Sequence, residues 1–271
     1  MHTITSPQKP KYTALDTNHG KFEILGCYPG YGTTLGNALR RVILSSLEGA
    51  AAKSVKITGV SHEFSTIEGV MEDVVQIILN LKQVRFKLHG EESVKISLKS
   101  KGEGVVTAAS FKTPSSVEVV NKDQVIATIT DKKTELEMEI EIDKGLGYMP
   151  VEQRVREDDR EIGVIAIDAI YTPVKRVNYE VENMRVGKRT DYDKITLEIV
   201  TDGSISPTEA FEKSVSILGG QFSALMEVEK EGAEELVAVA APVEEIEAEV
   251  APVEEKVEKA AKKVAKKKKA E

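Results

Sequence analysis

The sequence predicts an α+β protein, a β-rich middle bracketed by two amphipathic helices and followed by a charged tail. Three observations predict it. The stretch ELEMEIEID at 135–143 alternates strictly, with Leu136, Met138, Ile140 and Ile142 facing one way and glutamates the other, the period of a half-buried antiparallel strand. The stretches 35–47 and 207–226 repeat apolar residues every three or four positions, the spacing of amphipathic helices. Strands grouped together with few helices, rather than alternating with them, indicate α+β and not a parallel α/β sheet.

Taken in order, KFEILGC at 21–27 reads as a strand that enters the glycine-rich loop YPGYGTTLG. The first helix then runs from Leu35 to Leu47, with Leu35, Ala38, Leu39, Val42, Ile43 and Leu47 as one apolar stripe and Thr33 or Thr34 as its cap. KSVKITGV is the next strand. A second helix is predicted over STIEGVMEDVVQIILNLK, opened by a capping box of Ser65 and Glu68 and carrying Val70, Val74, Ile77, Ile78 and Leu81 on a broad face. Short alternating strands follow at VKISLKS, QVIATIT, ELEMEIEID and GVIAIDAIY. DKITLEIVTDGSI alternates Ile195, Leu197 and Ile199 and turns at Asp202 and Gly203. The last helix opens with Ser206 as cap, Pro207 at its first position and Glu209 closing a capping box. Its apolar residues Phe211, Val215, Leu218, Phe222 and Leu225 step by four and three alternately, a narrow seam that suits another helix. From Glu229 onward the text is Ala, Val, Glu and Lys, with APVEE at 241–245 and again at 251–255, and no aromatic residue follows Phe222. The segment 229–271 is therefore expected to be a disordered tail, acidic and then basic.

Composition excludes several classes. The formal net charge of −8 argues against a chain that coats nucleic acid by itself. No apolar run approaches the roughly 20 residues needed to span a bilayer, so no membrane role is expected. The N-terminal MHTITSPQKPKY lacks the pattern of a secretory signal, and a lone Cys27 forms no intrachain disulfide, so the chain is expected to stay where it is made.

Each candidate for chemistry fails a test. The loop before the first helix has Leu35 where a dinucleotide fingerprint needs glycine, and it lacks the Gly-Lys-Ser/Thr of a phosphate-binding loop, so tight turning and close packing are its expected use. Asp191 and Asp193 have the spacing of two magnesium-binding carboxylates, but a pair before a strand reads as a solvated turn. His2, His19, His62 and His89 show no metal-ligand spacing. No catalytic constellation emerges, and no cofactor or metal is expected in this chain. The paired Arg40 and Arg41 stand out instead. They lie on a helix flank with Leu44, read as exposed, while the small Gly36 would let another backbone approach. Arginine beside exposed leucine suits the centre of an interface.

The blocks TLGNALRRVILSSLEG, HEFSTIEGVMEDVVQIILNLK, GLGYMP, YTPVKRVNYEVENMRVGKRTDYDKITLEI and DGSISPTEAF, in this order from about Lys11 to Val228, resemble the alpha subunit of bacterial-type DNA-directed RNA polymerase. The resemblance implies a dimerisation domain made of 11–48 and 176–228, a β-rich domain of 49–175 inserted between them, and then the tail. It implies a homodimer paired through the first and last helices, with Leu35, Leu39, Val42, Ile43, Phe211, Val215, Leu218, Phe222 and Leu225 as its interface. It further implies that this scaffold nucleates assembly of the beta and beta-prime subunits, with nucleotide addition, magnesium and zinc belonging to those large subunits. Arg41 matches the arginine the family requires to bind beta, flanked by Arg40 and Leu44. Lys82 falls in the matching NLK block, and Arg185, Arg189, Asp191 and Asp193 in a block associated with subunit contacts. The implied location is cytoplasmic and nucleoid-associated, a plastid being compatible too. Family members continue into a C-terminal DNA-binding domain, which this tail is too poor in large apolar residues to form, so contact with DNA is expected to be indirect or weak, through the Lys-rich end. Two other readings stand beside this one. A small nucleotide-binding enzyme would use the glycine-rich loop and bind nucleotide stoichiometrically, and a homodimeric structural protein would have no polymerase partner.

Overall fold

Two antiparallel sheets organise the computed structural model, which describes residues 4–154 and 163–226; the tail predicted at 229–271 lies outside the described residues. The chain begins with β1 (Lys11–Asp16) and β2 (His19–Cys27), passes through α1 (Tyr31–Ser45), and continues into β3 (Glu48–Ile57) and α2 (Val74–Gln83). Next come β4 (Phe86–Leu88), β5 (Val94–Lys101), β6 (Gly104–Thr107), β7 (Phe111–Lys112), β8 (Val117–Val119), β9 (Val125–Ile129) and β10 (Glu135–Leu146). After β11 (Tyr148–Met149), the single turn α3 (Val151–Arg154), β12 (Val164–Ala166) and β13 (Ala169–Ile170), the chain closes with β14 (Val174–Val186), β15 (Arg189–Thr201) and α4 (Pro207–Met226).

The first sheet has the order β1-β2-β15-β14, so the two ends of the chain pair with each other through β2 and β15. One face of it is covered by α1 and α4. The resulting platform core draws Phe22, Ile24, Leu39 and Ile43 from the first end and Val177, Ile195, Leu197 and Phe211 from the second. Phe22 stacks on Phe211 with ring centroids 4.4 Å apart, which ties α4 directly to β2. The segment between, which leaves the platform at β3 and returns at β14, forms an insert with a core of its own.

The insert sheet runs β7-β5-β10-β3-β4-β8, with β12 also on β3, and α2 packs against it. In β10 the strict alternation has the consequence read from the sequence. Leu136, Met138, Ile140 and Ile142 are fully buried, while Glu135 and Glu137 face solvent and pair with Lys99 across the strand gap. The capping box of α4 also forms, Glu209 N–H donating to Ser206 Oγ at 3.2 Å and Ser206 N–H to Glu209 Oε2 at 3.4 Å.

The second predicted helix is shorter than expected. Ser65 caps nothing: its hydroxyl donates to His62 O, and α2 begins at Val74 with Asp73 accepting from Gln76 N–H at 2.7 Å. Gly69 at φ 76° breaks the helical path. The stretch before α2 is instead held along β9, where Val70 bridges Ile129 and the Glu72 carboxylate accepts from Thr128 N–H and Thr128 Oγ–H.

Candidate functional site

The candidate surfaces lie on the platform helices and at the end of α2. The start of α1 is built differently from the sequence expectation. The helix begins at Tyr31, and neither Thr33 nor Thr34 caps it; Thr34 donates back to Gly30 O instead. The cap is supplied across the chain by Asp193 of β15, whose Oδ2 accepts from Gly30 N–H and Gly32 N–H, each at 2.9 Å. Asp193 is 6% exposed, so it is neither a solvated turn acid nor paired with Asp191 in a metal site. Gly32 has to be glycine for this seat, since a Cβ there would stand 2.7 Å from both Asp193 Cβ and Val181 Cγ1. An anion would approach this helix through the same amides that already donate to the carboxylate, which removes the ready-made phosphate site of a glycine-rich loop. Among the described residues, no group of three or more His, Cys, Asp or Glu side chains is placed to hold a metal ion.

Asp193→Ala should leave two amides without their acceptor in a buried place and destabilise the chain by about 1–3 kcal/mol, whereas Asp193→Asn, which keeps an acceptor oxygen, should lose less. Thermal melts of the two variants measure the difference. Amide exchange in the first turn of α1 should rise in the alanine variant.

The face that α1 turns inward is Gly32, Gly36, Leu39 and Ile43. Gly36 does not admit a second backbone. It lies under the Tyr179 ring, 2.6 Å from Cδ2 measured from a Cβ position, and so lets the helix settle onto β14. Arg40 and Arg41 point outward, exposed, and their side chains make no hydrogen bond or ion pair among the described residues. Leu44, read from the sequence as exposed, is half-buried against the platform core.

The residues read as a dimer seam fall into two groups. Leu39, Ile43 and Phe211 are buried within the chain's own core, with Ile43 at 0% exposure, so Ile43 touches no second copy. Leu35, Val42 and Leu218 are half-buried, and Val215, Phe222 and Leu225 are exposed, the last two at 61% and 73%. Of these, Leu35 and Val215 line an apolar groove together with Pro7, Pro10, Ile24 and Phe211.

At the tip of the β14–β15 hairpin, Arg189 forms a two-toothed contact with Asp191, at 3.0 and 2.6 Å, and its guanidinium lies 5.7 and 5.2 Å from the Tyr28 and Tyr192 ring centroids. The hydrogen-bonded partner raises the Arg189 pKa and lowers that of Asp191. Arg185 donates to Gly187 O, within the hairpin turn. The aromatic stack around Arg189 carries no signal in the sequence, because Tyr28 and Tyr192 are far apart in the chain.

Lys82 ends α2 and is held internally: its Nζ donates to Asp168 Oδ2 at 2.9 Å, and Asp168 Oδ1 accepts from Val151 N–H at 3.0 Å. The Lys82 hydrogen bond, followed by the Val151 amide, holds the Asp168 carboxyl below the usual carboxylate range. A depressed pKa means that this contact stabilises the fold fully above the usual carboxylate range and is lost as pH falls through the depressed value. The urea midpoint of Asp168→Asn should lie below the parent's at neutral pH and converge with it as pH falls through the depressed value.

The family model described as the RNA polymerase Rpb3/RpoA insert domain matches residues 55–172. The chain is 50% identical over 218 residues to the DNA-directed RNA polymerase subunit alpha of Roseiflexus castenholzii, covering 80% of this chain and 66% of that one. To the same-named subunit of Limosilactobacillus reuteri it is 52% identical over 202 residues, covering 74% and 64%. To that of Clostridium acetobutylicum it is 48% identical over 223 residues, covering 81% and 70%. The matches thus span about two thirds of the length of these curated relatives.

Proposed function

The chain belongs to the family of DNA-directed RNA polymerase alpha subunits, and on that premise we propose that it is the non-catalytic scaffold of such a polymerase, a homodimer that captures the beta and beta-prime subunits. The observation that carries this reading is the far end of α4. Phe222, Leu225 and Met226 are exposed there, and the last two turns of the helix are uncovered among the described residues. Exposed apolar residues of that kind, together with the half-buried Leu35 and Val42 of α1, suit a second copy of the same helices.

With those residues covered in the dimer, α1 keeps Arg40 and Arg41 on its outer flank for the beta subunit. Arginine without an ion pair of its own is free to make the charge-assisted contacts that anchor an interface. Of the other contacts implied by the resemblance, Asp193 acts within the chain as the seat of α1, and Lys82 reaches a large subunit with its charge already engaged by Asp168. Arg185, Arg189 and Asp191 present the hairpin tip. No helix among the described residues is long and apolar enough to cross a membrane. The chain works in the cytoplasm, or a plastid, as part of a nucleotidyltransferase whose magnesium and zinc sit in the large subunits, and DNA meets it at most weakly through the Lys-rich end.

Reconstitution tests this reading. The purified chain, mixed with beta and then beta-prime, should elute as a dimer, then as a complex with beta, and then as one with both. Stoichiometric binding of labelled nucleotide by the chain alone, with no complex formed, would favour the enzyme reading instead.

A further inference from the structure

The insert and the platform are joined by two chain crossings, and they also touch at a point remote in sequence from both. On the platform side is the turn after β15. Asp202 N–H donates to Pro173 O at 3.0 Å, and Asp202 Oδ1 accepts from Ser204 N–H at 2.9 Å and Ser204 Oγ–H at 2.5 Å. One carboxylate oxygen is thereby fixed within the turn. The other, Oδ2, lies 3.6 Å from Arg85 Nε of the insert.

The Arg85 backbone is fixed on its own side. Its N–H donates to Asn121 Oδ1 at 2.7 Å, its carbonyl accepts from Val120 N–H at 2.9 Å, and Asn121 Nδ2 donates to Gln83 O at 2.9 Å. A second contact is independent of charge. Gly203, at φ 99°, brings the turn so near the insert that a Cβ on it would stand 3.0 Å from Val120 Cγ1. The Asp202 side chain is 5% exposed, so little water screens the pair.

We propose that Arg85 and the Asp202–Gly203 turn form a latch that fixes the angle of the insert on the platform. Arg85 follows α2 by two residues and Lys82 lies in its last turn, so the latch places the Lys82 end of the insert relative to Arg40 and Arg41 of α1. Arg85 and Asp202 are positioning residues: they need touch no large subunit to govern how the chain presents its two ends to one. The link to large-subunit capture rests on the function proposed above; the latch itself does not.

The test uses the full chain with spin labels on Asn37→Cys of α1 and Lys95→Cys of β5, both exposed positions, diluted with unlabelled chain so that only distances within one copy are read. Cys27 is fully buried and does not compete for label. The parent should give one narrow distance distribution. Asp202→Asn and Arg85→Met should each broaden it at least twofold, and the double variant should broaden it no further, since the two residues act as a unit. Beta capture should slow several-fold in the same variants while the chain still melts cooperatively.

A distribution as narrow in the single variants as in the parent overturns the latch. Broadening with unaltered capture overturns its positioning role. If the parent itself captures no beta, the proposed function fails and the distance measurement alone decides the latch.

Discussion

Phe222→Glu is expected to turn the dimer into monomer while leaving each chain folded. The separation between the two effects comes from exposure, because Phe222 is 61% exposed within one chain and touches little of its own core. Across a two-fold interface each residue is used twice. Burying a phenylalanine side chain contributes about 1.5–3 kcal/mol, so losing it from both copies costs roughly 3–6 kcal/mol before the penalty for a buried glutamate is added. At about 1.4 kcal/mol per factor of ten, the dimer dissociation constant should rise at least a hundredfold and more plainly with the charge included. Sedimentation of the variant at micromolar concentration should show monomer, with a parental melting profile once the parent's concentration dependence is allowed for. A variant that sediments as a dimer removes the α4 seam from the account.

Arg41→Ala should leave the dimer intact and prevent capture of beta. Among the described residues its exposed side chain makes no hydrogen bond or ion pair that the substitution would break, so the effect on fold stability should stay within about 0.5 kcal/mol. As an interface anchor its removal should cost 2 kcal/mol or more of binding, roughly thirtyfold in affinity. If co-purification with beta is parental in the Arg41 variant, the residue is an ordinary solvated arginine.

The parts of the fold that were legible beforehand are those where one local pattern decides the outcome. β10 is such a case, since its alternation has a single satisfactory orientation, and the start of α4 is another, since both halves of its cap lie within four residues. α1 was legible as a helix but not in its seating. The inward residues include Gly32 and Gly36, which carry no apolar signal, and the cap comes from Asp193, 161 residues beyond Gly32. β14 escaped for a related reason. Its outer half, from Tyr179 to Val186, is at most half-buried, the side that Tyr179 and Val181 turn to α1 meeting Gly36 and Gly32 rather than large apolar residues, and β15 supplies the pairing that makes it a strand. The false start of α2 shows a local rule overridden by tertiary contacts, because Ser65 and Glu68 have the spacing of a cap but Gly69 turns the chain towards β9. At the candidate site, Arg40 and Arg41 were visible as an exposed pair, whereas the charge on Lys82 was not visible as already engaged, its partner Asp168 lying 86 residues away.

The central claim, that this chain is the assembly scaffold of a polymerase, meets its most direct test in affinity capture of the intact chain from the cell that makes it, followed by native mass spectrometry. Two copies of the chain should accompany one beta and one beta-prime subunit, and the Phe222→Glu and Arg41→Ala forms should recover neither large subunit. Recovery of the parent chain as a bare homodimer, or with a stoichiometric partner that is not a polymerase subunit, would contradict that claim.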